Sequence, residues 1–400
     1  METVSLTSYD EVLDALRHRS LRQALYDEGR ALMNDVVVNL HGSEHRDRRR
    51  MENRLFRRDV FMYYEREVLE QTMEAALKPF VAEGRADLLS LGRRSMMNLG
   101  ARIAGIDLPE GSKAEFDRFY ELMNTLSRAS TVIHSNEPKD VVIRAGNEAL
   151  DAFDREFLQP SLDRRRALLA AHAAGDLAEE DLPKDVCMLL VRQKDVLGLT
   201  DAVVLREIAY FPWVASHSTS HAFVHATHEV FTWLATHPED RDALRADPFL
   251  LQRFVHEALR LHPASPEARR IALDEVVLRS GRTIPRDSVV VCSLVQANRD
   301  PKVFGDDAAE FSPMRELPKD VHLWGVTFGS GPHACMGQEL AGGVGIVEPV
   351  DADEHLFGTI VAMIRLLLEN GARPDPEHPP VPDAATKRPN YASYPVTFES

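Results

Sequence analysis

The chain has few cysteines and no long apolar run. Only Cys187, Cys292 and Cys335 occur among its 400 residues, too few and too widely spaced for a disulfide framework or a zinc cluster. No segment is apolar over the length needed to span a bilayer, and residues 1–10 have neither the basic start nor the apolar core of a secretory signal. We therefore expect a cytoplasmic protein without a membrane anchor, in which any cysteine chemistry rests on a single thiol.

Basic residues are fewer than acidic residues. The chain has 47 Lys and Arg against 63 Asp and Glu, a formal net charge of −16 that repels nucleic acids and anionic membrane surfaces. We expect neither as a partner. The remaining composition, 44% hydrophobic and 28% charged, is typical of a globular protein with a large core. We expect residues 1–400 to form a single domain.

Helical periodicity dominates the chain, because segments rich in Ala, Leu, Arg and Glu carry apolar residues three and four positions apart. The spacing predicts helices over 8–17, 44–58, 60–82, 87–104, 113–127, 140–156, 160–174, 201–236, 239–246, 248–261 and 355–370. Strand-like sequence is confined to 269–278, 283–284 and 288–293, with more near the C-terminus. The fold class is therefore mainly α with small, late β-sheets (α+β).

The helix predicted over 201–236 is apolar on more than one face, as a helix is when it runs through a core. Its centre is nevertheless polar, Ser216-His-Ser-Thr-Ser-His221. Buried hydroxyl and imidazole groups need partners or a wet cavity, which marks a candidate active site. The alternative is that the hydroxyls bond to carbonyls one turn earlier, and the sequence leaves both open.

One cysteine stands between glycines in the segment Phe328-Gly-Ser-Gly-Pro-His-Ala-Cys-Met-Gly337. Backbone amides, and a helix expected to begin near Met336, would stabilise a thiolate at Cys335. Gly331 and Gly337 would let the main chain approach a flat ligand, and Phe328 could cover the sulfur. A structural turn with a bystander cysteine is the other interpretation of this loop taken alone.

This segment resembles the haem-binding signature of the cytochrome P-450 family, with every defining position of Phe-Gly-x-Gly-x-His-x-Cys-x-Gly matched. The resemblance extends from about Thr7 to the C-terminus. It implies the P-450 fold, with the long helix crossing over haem b (iron protoporphyrin IX) and Cys335 as the axial iron ligand. Phe328, Gly329, His333 and Gly337 are the other cofactor-binding positions that it implies in this loop.

Two further sets of residues match family positions. Glu257-Ala-Leu-Arg260, with Arg315, resembles the family's buried Glu-x-x-Arg pair and its third member, a structural network. His45 with Arg49, then Arg270, and His333 resemble the groups that bind the haem propionates. In isolation each would be interpreted as an exposed charge or a helix-face pair.

The central helix departs from the family at its distal element. Thr219 takes the position of the family's hydroxyl, whereas Ser216 stands where Gly is usual and Ser218 where an acid is usual. A hydroxyl cannot carry protons as a carboxylate does near neutral pH, so His221 is a candidate for part of a relay. Spacing of four between His217, His221 and His225 suggests a metal stripe, although one pocket-facing histidine and two packed or solvated ones are favoured.

Two other departures concern the ends of the resemblance. Almost nothing precedes the helix that Thr7 starts, so the sheet edge is either missing or completed by something else, such as a second subunit in a homodimer. The helix after Cys335 should stop at Gly342-Gly343, followed by an extra acidic stretch over 348–354, an insertion near 342–354 on the proximal face.

The resemblance implies insertion of one oxygen atom from O2 into a small, largely apolar organic substrate. Two electrons would come from a ferredoxin and its NAD(P)H-dependent reductase. Alternatives are peroxide-driven oxidation, nitric-oxide reduction, a rearrangement, or a haem binding or sensor protein with little turnover. A basic cluster on the helix predicted over 44–58 would either steer the ferredoxin or form an ordinary solvated face with Asp47 and Glu52. Its members are Arg46, Arg48, Arg49, Arg50, Arg54, Arg57 and Arg58.

Overall fold

The computed structural model describes residues 2–346 and 351–398, and helices make up most of them. The α-helices are α1 (Tyr9–Arg17), α2 (Arg30–Met33), α3 (Gly42–Glu52), α4 (Arg58–Tyr63), α5 (Glu70–Glu83), α6 (Leu88–Ala104), α7 (Lys113–Ser130), α8 (Lys139–Phe153), α9 (Gln159–Ala174), α10 (Val186–Gln193), α11 (Asp201–Thr236), α12 (Arg241–Ala246), α13 (Pro248–Leu261), α14 (Leu294–Ala297), α15 (Pro301–Phe304), α16 (Gln338–Gly342) and α17 (Thr359–Glu369). Segments of π-helix, Tyr64–Leu69 and Asp154–Leu158, join α4 to α5 and α8 to α9.

The longest element is α11, which begins where the Thr200 hydroxyl accepts a hydrogen bond from the Val203 amide. Most of its 36 residues are on the inside, as its apolar surface requires. Helix α6 packs closely along it because small residues lie at the contact. A Cβ at Gly100 would meet Pro212 Cα at 3.0 Å, and one at Gly92 would meet the Phe223 ring at the same distance.

Short strands form four small sheets in the described part of the chain. The strands are β1 (Thr3–Leu6), β2 (Leu21–Gln23), β3 (Arg85–Asp87), β4 (Glu267–Ala272), β5 (Val276–Val277), β6 (Thr283–Ile284), β7 (Val289–Ser293), β8 (Ala372–Pro374), β9 (Val381–Pro382), β10 (Tyr391–Ser393) and β11 (Pro395–Phe398). The largest sheet has the order β1-β7-β4-β2, and β3-β11-β8 form the next. One large apolar core lies among the helices, and a smaller one lies between the four-stranded sheet and α1.

The α+β class is confirmed, but four details of the sequence prediction are wrong. Strands are not only late, because β1, β2 and β3 lie in the first quarter of the chain; each has three or four residues and forms by pairing with a distant segment. The helix predicted over 44–58 ends at Glu52, and a 3-10 turn over Asn53–Leu55 separates it from α4. The strand predicted over 269–278 is two strands, and α10 went unpredicted.

The two expected irregularities lie at β1 and after α16. Strand β1 is an edge strand that pairs in parallel with β7, Thr3 opposite Val289, and no other strand in the described ranges pairs with it. Helix α16 does end at Gly342, and the Val344 amide donates to the Leu356 carbonyl oxygen at 2.9 Å. Residues 347–350, and with them part of the expected acidic insertion, lie outside the described residues.

In the part of the chain that the structure describes, we find no helix that combines the length and the apolar character needed to cross a membrane.

Candidate active site

Cys335 lies in a tight loop between a 3-10 turn (Gly331–His333) and α16, which begins at Gln338 rather than near Met336. The Cys335 amide donates to the Phe328 carbonyl oxygen at 2.8 Å, which fixes the loop. The side chain is accessible from a large internal cavity, and the protein around that cavity encloses it. Burial therefore raises the pKa of the Cys335 thiol, opposed by a hydrogen bond from the Gly337 amide and by the Arg49 charge.

The glycines of this loop serve different purposes. A Cβ at Gly337 would meet nothing within 4 Å, so this glycine leaves the main chain open towards the cavity. A Cβ at Gly331 would instead meet Arg17 Cα at 2.8 Å, so it allows the loop to pack on α1. The expectation that Gly331 serves a flat ligand is therefore wrong. Gly329 lines the cavity with φ of +69°, a conformation that favours glycine.

Four basic side chains gather at one edge of the cavity. The rings of His45 and His333 lie 4.1 Å apart, Arg49 donates to the Ala334 carbonyl oxygen, and Arg270 is buried on β4. Burial, followed by neighbouring cations, lowers the pKa of His45 to about 4 and that of His333 to about 2.

Polar atoms at this edge lack partners. Within the described ranges, His45 Nε2, His333 Nδ1 and Arg270 Nε make no hydrogen bond. Arg49 and Arg270 also have no carboxylate within 4 Å among those residues. Leaving buried donors of this kind without a partner costs free energy of folding, unless an anion accepts their hydrogen bonds. A flat ligand with two carboxylates at its edge, as in haem, fits these residues together with the open face at Gly337.

Helix α11 forms another wall of the cavity with Val214, Ala215, Ser218, Thr219 and Ala222. The Ser218 hydroxyl donates to the Val214 carbonyl oxygen at 2.7 Å, the back-bonded geometry that was the alternative interpretation for this segment. Thr219 faces the cavity. The one carboxylate among the described lining residues is Glu267, which is paired with Arg269 at 2.7 Å.

Ser216 and His221 do not line this cavity. The Ser216 hydroxyl donates to the Arg93 carbonyl oxygen of α6, and His221 Nε2 lies 3.2 Å from Arg93 Nη2. With 3.6 residues per turn, positions 216 and 221 lie on the two flanks of the face centred on 215, 218, 219 and 222. The placement of Ser216 and His221 in the distal constellation is therefore not what the structure shows.

The rings of His217 and His221 lie 4.8 Å apart, but the three histidines spaced by four do not meet at one point. His217 contacts Arg388, and His225 stacks on His262 at 4.7 Å. Among residues 2–346 and 351–398 no three His, Cys, Asp or Glu side chains are placed to hold a metal ion. The stripe consists of packed side chains.

Glu257 lies between two arginines below the cavity. Its carboxylate receives hydrogen bonds from Arg260 at 2.6 and 2.7 Å and from Arg315 at 3.3 Å. Arg260 is fully buried and also donates to the Asn298 and Ala308 carbonyl oxygens, both at 2.6 Å. The network is therefore saturated with hydrogen bonds, the condition under which buried charges are tolerated.

Asn298 is a site residue that the sequence did not reveal. Its amide nitrogen donates to the Arg260 carbonyl oxygen and to the Thr327 hydroxyl, and its oxygen accepts from the Val326 amide. It thus connects the Glu257 network to the residues that precede Phe328. No local pattern marks it, because its partners are distant in sequence.

The basic cluster is not one surface. Arg48 is buried and pairs with Glu207 of α11 at 2.5 Å, and Arg49 points to the cavity. Glu52 is also buried, so it does not form the expected solvated pair. The exposed members form what we call the arginine face: Arg46, Arg50, Arg54, Arg57 and Arg58.

Comparisons with known proteins agree with this fold. The family model for cytochrome P450 matches residues 225–342. Pulcherriminic acid synthase of Bacillus subtilis (strain 168) is 23% identical over 350 residues, 85% of this chain and 80% of that protein. Cyclooctat-9-en-7-ol 5-monooxygenase of Streptomyces melanosporofaciens is 26% identical over 349 residues, 79% and 71% of the two chains. The crystal structure of CalO2 superposes with a TM-score of 0.74 at 21% identity, covering 99% of this chain and 90% of that one.

The match to the family model and the likeness to relatives named as monooxygenases support an oxidoreductase. The comparisons support a cytochrome P450 of the bacterial type, and proteins of that family bind haem b iron through a cysteine thiolate.

Proposed function

We propose that this chain is a single-domain, cytoplasmic monooxygenase that inserts one oxygen atom from O2 into a small organic substrate. The proposal rests on the cavity onto which Cys335 opens. Gly337 leaves the main chain open towards this cavity, and His45, Arg270 and His333 have polar atoms there without a partner in the described part of the chain. One cofactor, with a flat body and carboxylates at its edge, suits both features. Haem bound there supplies the oxygen activation, which a thiolate ligand favours.

The chain's own residues hold and orient that group. Cys335 supplies the sulfur, with Phe328 packed beside the loop, and Gly329 and Gly337 keep its backbone close to the ligand plane. His45, Arg49, Arg270 and His333 supply donors for the propionates. Glu257, Arg260 and Arg315 hold the segment that leads to the loop, and touch nothing in the cavity.

The described lining of the cavity is mainly apolar and aromatic, and includes Tyr26, Val38, Phe56, Phe211 and Leu294. Burial of apolar surface against these side chains would bind a largely apolar substrate and exclude water.

Thr219 is the hydroxyl that we assign to proton delivery. Its neighbour Ser218 is occupied by the Val214 carbonyl oxygen, and Glu267 is held by Arg269. The lining therefore offers no free carboxylate within the described ranges, which favours a second candidate: oxidation driven by peroxide, which brings its own protons. The two candidates are separated by measuring substrate oxidation in single turnovers, once with dioxygen and a reductant and once with peroxide alone.

We assign electron delivery to a ferredoxin with an NAD(P)H-dependent reductase. The arginine face borders the Cys335 side of the protein, since Arg58 pairs with Glu339 of α16. Clustered positive charge on a chain of net charge −16 would orient an acidic partner at this side.

The test of the function is the spectrum of the reduced protein with carbon monoxide. We expect the red-displaced Soret band of a thiolate-bound haem, and expect Cys335→Ser to remove it. Cys187→Ala, at a buried cysteine away from the cavity, is the matched control and should keep the band. A normal band in Cys335→Ser would overturn the proposal.

A further inference from the structure

A second cavity, of about 440 Å³, lies between α6, α7, α11 and the loop before β10. Five of the residues that line it are basic: Arg93, Arg128, His134, His217 and Arg388. We call this the basic cavity. It is distinct from the basic edge near Cys335, because the charges that act on His333 are those of Arg49, Arg270 and the neighbouring histidines His45 and His41.

Two of the three arginines of the basic cavity, Arg93 and Arg388, have no ion-pair partner among the described residues. Arg388 is only 8% exposed, and neither it nor Arg93 has a carboxylate within 4 Å in the described part of the chain. Their side-chain partners are imidazoles: Arg388 Nη1 lies 3.1 Å from His217 Nε2, and Arg93 Nη2 lies 3.2 Å from His221 Nε2.

The carboxylates nearby are engaged elsewhere. Glu137 is paired with Arg128, and Asp383 accepts a hydrogen bond from the Ala385 amide at 3.0 Å. Glu267, whose charge reaches Arg388, is bound to Arg269. Within the described ranges, the charges of Arg93 and Arg388 are therefore not offset by an ion pair of their own.

Three polar nitrogen atoms in the basic cavity have no partner within the described ranges, and this favours an anionic ligand. Arg93 Nε, Arg388 Nε and His134 Nε2 have no hydrogen-bond partner among the described residues. Burial, followed by the charges of Arg388, Arg269 and Lys387, lowers the pKa of His134 to about 3, and burial also lowers the pKa of His217. Both imidazoles are thus neutral, so a bound anion would meet two guanidinium charges and neutral donors. An unpaired buried arginine is costly, and an anion would offset that cost.

The basic cavity adjoins the proposed active site. Arg388 interacts with Tyr26 and Glu267, and both of these residues line the cavity that holds Cys335. His217 precedes Ser218, which faces that cavity from the same helix. A molecule with one end at Arg388 could therefore extend its other end towards the reacting position.

We propose that the basic cavity binds the carboxylate of an organic acid, with the apolar remainder of that acid in the Cys335 cavity. This inference rests on the proposed function, and it specifies the substrate class as a carboxylic acid with an apolar body. A carboxylate is a planar, bidentate anion, which suits two guanidinium groups. This explains why the polar basic cavity lies beside the apolar Cys335 cavity.

The experiment is calorimetric titration of the haem-loaded protein with decanoate and with decanol, which share the apolar chain and differ in charge. We expect decanoate to bind about tenfold to a hundredfold more tightly, the range for a charge-assisted contact. Arg388→Gln and Arg93→Gln should each reduce that preference, and Arg388→Lys should keep part of it. Arg144→Gln, at an exposed arginine of α8, is the matched control and should leave it unchanged.

Thermal melting shows whether each variant folds, and Arg388→Gln should melt no lower than wild type because it removes an unpaired buried charge. Equal binding of decanoate and decanol by wild type, or an unaltered preference in folded Arg388→Gln and Arg93→Gln, would overturn the proposal. Failure of this inference is distinguishable from failure of the proposed function, because the carbon monoxide spectrum reports on Cys335 alone.

Discussion

The side-chain oxygen of Asn298 accepts a hydrogen bond from the backbone amide of Val326 at 2.8 Å. The other end of the same side chain donates to the carbonyl oxygen of Arg260. One buried amide therefore connects the Glu257–Arg260 pair to the start of the Cys335 loop. The position of the loop depends on this bridge as well as on its own glycines.

Replacing Asn298 with Ala should lower the free energy of unfolding by about 3 kcal/mol, because three buried groups lose their partner. Urea unfolding and haem content per chain measure the effect. Asn147→Ala, at an exposed position of α8, is the control. Equal stability of the two variants would contradict a bridging role.

Glu257→Gln should destabilise the protein by about 3–5 kcal/mol, because Arg260 and Arg315 would stay buried without their shared anion. Chemical denaturation measures the loss. Asp242→Asn removes a comparable partner from the exposed Arg245 and should cost little. A small loss in both variants would show that backbone carbonyl groups suffice for the arginines.

The buried carboxyls of Glu52 and Glu207 should make stability fall as pH rises. Burial and the Glu207 charge raise the pKa of Glu52, and burial raises the pKa of Glu207 to about 7 despite its pair with Arg48. Both carboxyls are therefore protonated more readily in the folded than in the unfolded chain. The stability that Glu207 contributes is complete below the ordinary carboxyl pKa of about 4.3 and is lost as pH rises through its folded pKa of about 7, and Glu52 contributes in the same direction.

Glu52→Gln removes one of these titrations. Its melting temperature should exceed that of wild type near neutral pH, and the difference should shrink towards acid. Glu44→Gln, at an exposed residue of the same helix, should follow the wild-type profile. Parallel pH profiles for Glu52→Gln and wild type would show that the pair does not titrate in this range.

Thr219→Ala should uncouple electron use from product formation, because it removes the hydroxyl that faces the cavity. Peroxide released per NAD(P)H consumed should rise severalfold, and Thr219→Ser should restore most of the coupling. Ser216→Ala, whose hydroxyl contacts α6, is the control. Unchanged coupling in Thr219→Ala would mean that protons reach the site by another route.

Charge reversal on the arginine face should slow reduction by a ferredoxin. Arg50→Glu combined with Arg54→Glu should lower the second-order rate by about tenfold at low salt, and rising salt should reduce the difference. Arg144→Glu makes a similar change on α8, away from this face. Stopped-flow reduction rates that change neither with salt concentration nor with charge reversal would show that the arginine face is not the docking site.

Several features of the fold follow from local sequence. The beginning of α11 at Thr200, the end of α16 at Gly342 and the turn that presents Cys335 depend on side chains and glycines within a few residues. Patterns of this range are visible in the chain itself. The different surroundings of the arginines in the basic cluster are not visible in the chain itself, because Arg48 is buried only by contact with Glu207.

The amino-acid sequence by itself determined most of the long helices, the glycine-rich loop around Cys335 and the residue types at the site, since capping, periodicity and glycine conformations act over one or two turns. Tertiary structure alone decided that Leu21 pairs with Ala272, that Asn298 meets Val326, and that Arg388 lies beside His217 without an acidic partner among the described residues. Those contacts join segments far apart in the chain, and the burial and charge that act on each group arise only when the segments pack together.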